Sequence, residues 1–115
     1  MYREIELMEK ENGKCEALEF IEKMDEKTQM KIEYVFKLVE EILIVPAEYL
    51  KKLRGQIYEI RVQSGSNIYR FLCFFHKGNL VVITHGFQKK SRETPSKEID
   101  RAEKLREKYL AKNGG

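Results

Sequence analysis

The chain has no tryptophan, two prolines, two cysteines and two histidines in 115 residues. Cys15 and Cys73 match neither a metal-ligand nor a redox spacing, so free thiols in a reducing, cytoplasmic compartment are expected. With so few His and Cys, neither a metal nor another cofactor is expected, and His76 and His85 do not read as a paired-histidine catalytic site. No apolar run approaches the roughly 20 residues that cross a bilayer, and no membrane partner is expected. The N-terminus, MYREIELMEK, is too charged for a signal peptide. Repeats, linkers and low-complexity stretches are also missing, so residues 1–115 read as a single domain.

Charge is plentiful, at 36% Asp, Glu, Lys and Arg, and unevenly placed. Residues 1–48 carry 7 Lys/Arg against 13 Asp/Glu, whereas residues 49–115 carry 15 against 6. The two parts therefore hold net charges of −6 and +9, which sum to the overall +3. Such a division makes a strong dipole whose basic side suits a polyanion.

The pattern predicts an α+β fold with the order β-α-α-β-β-β-α: a small antiparallel sheet of about four strands, an N-terminal helical hairpin and a C-terminal helix. Tyr2 to Met8 alternates weakly as a first strand. Asn12-Gly13 marks a turn, and residues 14–24 carry Leu18, Ile21 and Met24 at helical spacing. Asp25 caps a longer helix with a stripe of Ile32, Val35, Phe36, Val39, Ile42 and Leu43, stopped before Pro46. Lys51, Lys52 and Arg54 read as a basic connector. Strands then follow at Gln56 to Gln63, Ile68 to Phe75 and Leu80 to Gln88, rich in Ile, Val, Tyr and Phe. Thr94-Pro95 reads as the cap and first turn of a helix running to about Lys112.

Side chains alternate across strands. If both hairpin loops are even, Arg61 faces Arg70, and Arg70 shares its face with His85, Phe87 and Lys89. Opposed arginines repel by up to about 1 kcal/mol, with Glu59 the single acid of matching parity. On this reading Arg61→Ala or Arg70→Ala leaves the fold intact or slightly more stable. Arg is suited to clamp phosphate through its planar fork, and Phe87 to stack on a base.

The segments LRGQIYEIRV, NIYRFLCFF and HGFQKKSRETPSKEIDRA, with NGKCEALEFI upstream, resemble the phage-derived HigB toxins of the RelE/ParE superfamily. The GFxKK…TPxxEI block is the most specific part, and the resemblance covers nearly the whole chain. It implies a RelE-like fold and a ribosome-dependent endoribonuclease that cuts mRNA. It also implies neutralisation by a HigA-type helix-turn-helix antitoxin, with mRNA and ribosomal RNA as the other partners. Carried over by position, Arg61, Arg70, Lys89 and Lys90 are the candidate catalytic residues. The residue at Thr84 departs from the hydrophobic residue usual there.

Cleavage of this kind needs charge stabilisation at the phosphorane, a base for the 2′-hydroxyl and an acid for the leaving oxygen. Arg61 and Arg70 are assigned the first role. Lys89 or Lys90, with a pKa lowered by neighbouring cations, or His85, is assigned proton transfer. Phe87, Lys51, Lys52 and Arg54 are assigned to substrate binding. The site is chemically sparse, so substrate alignment is expected from the ribosome. Each residue also has a plainer reading: Arg61 and Arg70 as solvated strand residues or structural partners of Glu59, Lys89 and Lys90 as surface lysines, packed His85 and Phe87, surface His76, and Tyr109 either packed or near the site. Two other functions fit the same pattern, a ParE-like gyrase-binding toxin and a non-catalytic RNA-binding module.

Overall fold

A computed structural model describes residues 1–114. The elements are β1 (Glu4–Leu7), α1 (Glu16–Glu22), α2 (Glu26–Glu41), β2 (Leu50–Arg54), β3 (Ile57–Ser64), β4 (Asn67–His76), β5 (Leu80–Gln88) and α3 (Ser96–Asn113). The sheet has the order β1-β5-β4-β3-β2, with β1 parallel to β5 and the other pairs antiparallel. This is the expected α+β architecture with two differences: the sheet is mixed, and it has five strands. The added strand is β2, which was expected as a connector. Lys51 and Lys52 are exposed on this edge strand, so it shows no apolar alternation, and charge there discourages pairing with another chain.

The two sheet faces carry separate cores. Ile60, Val62, Phe71, Cys73, Val81 and Ile83 pack under α1 and α2, joined by Ile32, Val35 and Val39 from α2. Tyr58 and Tyr69 belong to this side. The opposite parity gives Ile57, Leu72, Phe74 and Val82, covered by Ile99, Ala102 and Tyr109 of α3. Tyr109 packs edge-on to Phe74 and donates its hydroxyl to Glu6 Oε2 at 2.9 Å. It is therefore a packing residue. His76, expected at the surface, is buried with its ring 5.1 Å from that of Tyr109. The turn beside it left its burial under α3 unseen.

Asp25 caps α2 by accepting from the Thr28 amide at 2.8 Å. The helix ends at Glu41, earlier than the apolar stripe suggests; Leu43 lies beyond it, exposed. The cause is Arg3. Its guanidinium donates to the carbonyls of Val39, Ile42 and Leu43 and satisfies the helix end that Glu40 and Glu41 cannot.

Register decides the site. Arg61 pairs with Arg70 across β3 and β4, as expected. The β4–β5 turn, however, holds three residues, because His76 pairs with Leu80. An odd turn alone would send Phe87 to the far face from Arg70. A bulge at Thr84 cancels the shift: Cys73 pairs with Ile83, whereas Leu72 pairs with His85 and Arg70 with Phe87. The departure at Thr84 thus falls on the residue that re-aims the end of β5.

Candidate functional site

Helix α3 starts only at Ser96, so it leaves one end of its sheet face uncovered. Residues 89–94 loop around that end and enclose a cleft of about 610 Å³. Its walls include Lys51 and Lys52 from β2, Glu59 and Arg61 from β3, Arg70 from β4, and Lys89, Arg92 and Thr94 from the loop.

Arg70 forms the floor and is not free. It is 6% exposed beside Glu59, itself 4% exposed. Arg70 Nη1 donates to Glu59 Oε1 at 2.9 Å and also to the Thr94 hydroxyl, which in turn donates to Glu59. Arg70 Nη2 donates to the Arg92 carbonyl at 2.9 Å. One guanidinium therefore ties β3, β4 and the loop together. Thr94 was expected as a helix cap; the cap position falls to Pro95, and the Thr94 hydroxyl serves the buried ion pair instead. The expectation that Arg70→Ala relieves repulsion is overturned, because Glu59 already compensates Arg70.

Arg61 sits opposite and is half-buried. It takes part in no ion pair among the described residues, and its buried Nε has no hydrogen-bond partner. The rest of its donors remain for a ligand. Lys89 stands near both arginines. Partial desolvation, then the charges of Arg70 and Arg61, hold its ammonium below the usual lysine range, although Glu59 opposes this. Lys90 lies beside the cleft, in a shallower recess with Lys89, Ser91 and Arg92.

Three more expected site residues, besides Lys90, are not brought to this cleft. His85 shares the face but is 1% exposed under α3. Its Nε2 lies 3.1 Å from Glu98 Oε1 and its Nδ1 3.0 Å from Thr84 Oγ1, whose hydroxyl donates to the Leu72 carbonyl at 3.1 Å. Burial holds its pKa below the ordinary histidine value, outweighing Glu98. Phe87 stacks on His85 with centroids 6.0 Å apart and packs against the α3 core. Arg54 is paired with Asp100 and Glu103 on α3, so it holds the edge strand to the helix. Sequence reasoning missed Thr94 and Arg92 as parts of the site. The TPxxEI motif and the KKSRETP basic run were visible, but nothing local shows that they fold back on Arg70.

The α+β architecture, with its helical hairpin, mixed sheet and C-terminal helix, is compatible with the RelE-like fold of small toxins. Residues 19–107 match the family described as "Phage derived protein Gp49-like (DUF891)", and the chain belongs to that family. It is a phage-derived, toxin-like family of the RelE/HigB-like toxin group, which implies an antitoxin partner in general. No curated protein matches the chain. No helix among the described residues is long and apolar enough to cross a membrane.

Proposed function

We propose that the protein is the toxin of a type II toxin–antitoxin pair and a ribosome-dependent, HigB-type mRNA endoribonuclease. A HigA-type helix-turn-helix protein is its cognate antitoxin. The observation that carries this reading is Arg61. It is a guanidinium without a carboxylate partner among the described residues, facing an open cleft whose other unpaired cations are Lys51, Lys52, Lys89 and Arg92, against the acids Glu93 and the already paired Glu59. That arrangement fits a phosphodiester backbone better than a neutral ligand.

In the proposed reaction a 2′-hydroxyl attacks the adjacent phosphorus. Its proton goes to a base, the P–O5′ bond breaks, and the leaving oxygen takes a proton. The products are a 2′,3′-cyclic phosphate and a 5′-hydroxyl. Arg61 stabilises the charge that develops on the phosphorane oxygens. Arg70, locked by Glu59 and Thr94, adds positive potential from below and fixes the strand that bears the site. Lys89 is the group best placed to accept the proton, because its ammonium releases one more readily than an ordinary lysine. Lys90 flanks the entering strand, Lys51 and Lys52 hold phosphates at the rim, and His85, Phe87 and Arg54 support the framework.

No histidine lines the cleft among the described residues and Glu59 is held by Arg70 and Thr94, so alignment on the ribosome supplies much of the rate. The test is purified protein with the same mRNA, free and programmed on ribosomes. Cleavage only on ribosomes supports the reading. Equal cleavage of naked mRNA contradicts the ribosome dependence, and inhibition of gyrase supercoiling without any cleavage contradicts the nuclease.

A further inference from the structure

A second groove, of about 670 Å³, runs between α3 and the turn after β1. Its apolar floor is made by Met8 and Leu105, and one rim is made by Lys104, Lys108 and Lys112. These lysines are four residues apart, so they stand one above another on a single helix flank. All three are exposed and enter no ion pair among the described residues. The contrast within α3 is informative. At the start of the same row Asp100, with Glu103 nearby, is neutralised by Arg54, and at the near end Arg101 is neutralised by Glu16. Lys97 and Arg106 of α3 are also in no ion pair among the described residues, but of these unpaired cations only the lysine row lines the groove. The helix dipole accounts for Lys112 in the last turn, but its influence fades before Lys108 and Lys104.

We propose that this groove takes an amphipathic helix laid along α3, with an apolar stripe on Met8 and Leu105 and a row of carboxylates against Lys104, Lys108 and Lys112. The repeat of one lysine per turn matches carboxylates at the same spacing on a neighbouring helix, as charged flanks do in helix pairs. An apolar floor has no use for a phosphate backbone, and Glu9 and Glu11 on the facing wall confine the partner's carboxylates to the lysine side. Resting on the toxin reading, the antitoxin is the source of that helix. The groove is built from the far part of α3, away from the cleft residues, so this contact anchors the antitoxin without entering the cleft.

The probe is a labelled synthetic three-turn peptide whose leucine stripe is edged by glutamates four apart, titrated into the full chain and read by fluorescence anisotropy. The expected result is binding that weakens roughly tenfold or more for Lys104→Glu/Lys108→Glu. A peptide with its glutamates replaced by lysines is expected to bind that variant and not the wild type. Unaltered binding after the charge reversal overturns the proposal. So does loss of affinity for a short oligoribonucleotide in place of the peptide. Arg61→Ala keeps full peptide binding if the groove works as proposed, whether or not it abolishes RNA cleavage. Failure of the nuclease reading is thereby separated from failure of this one.

Discussion

Arg61 and Arg70 face each other in one register pair yet have different jobs, and the difference is a carboxylate. Glu59 neutralises Arg70 inside the protein, whereas Arg61 is left for something outside it. Arg70→Ala strands the buried Glu59 charge and removes the tie to Thr94 and Arg92. A loss of about 3–5 kcal/mol is expected, measured by urea unfolding, and adding Glu59→Gln should restore part of it. A variant as stable as wild type would show that the buried pair holds nothing together. His85 gives a pH dependence of definite sign. Its folded pKa is below the unfolded value, so between the two the unfolded chain binds more protons. Stability is therefore full above the ordinary histidine pKa of about 6.5 and falls as acidification passes below it, and His85→Gln should flatten that fall. The pairing of the two arginines was legible from strand parity. The Glu59–Arg70 pair was open as one of two readings, but the part of Thr94 was not legible, because Thr94 is 35 residues from Glu59 in the chain and has the look of an ordinary helix cap.

At the scale of elements, strand parity gave the right face for Arg61, Arg70, His85 and Phe87 only because two departures cancel. The three-residue turn at Lys77–Asn79 shifts the register by one, and the Thr84 bulge shifts it back. A bulge leaves no periodic mark, so its position could not be read. Edge strand β2 was missed because its charged residues hide the alternation that marks strands, whereas β3, β4 and β5 were plain from their β-branched and aromatic content. Gly86, within the HGF motif, is the tightest point of the strand that carries the site. A Cβ there would lie 2.7 Å from the Phe71 ring and 2.9 Å from Phe20. Gly86→Ala is expected to cost about 1–3 kcal/mol through overpacking, seen as a lowered Tm. An unchanged Tm would mean that α1 yields easily, and with it the sheet face opposite the cleft.

For the whole molecule, the acidic N-terminal part and basic remainder fold into one body whose cationic cleft and α3 flank lie on the C-terminal part. The charge division was legible in the sequence, but its sorting into a cleft and a separate groove needed the fold. Binding of a short single-stranded RNA should weaken steeply with salt, and Lys51→Ala/Lys52→Ala should reduce the slope of log K against log salt by roughly 1.4, at about 0.7 per phosphate contact. A slope that does not change would remove β2 from the binding surface. The central claim is that Arg61 is exposed to act on RNA. It is tested most directly by mapping new mRNA 3′ ends, with their cyclic phosphates, in cells induced to make wild type or Arg61→Ala at equal soluble levels. The account predicts fresh ends inside reading frames for wild type and a roughly 10²–10³-fold loss of cleavage for Arg61→Ala, with stability changed by no more than about 0.5 kcal/mol. Equal cleavage by both proteins, or none by either, would contradict it.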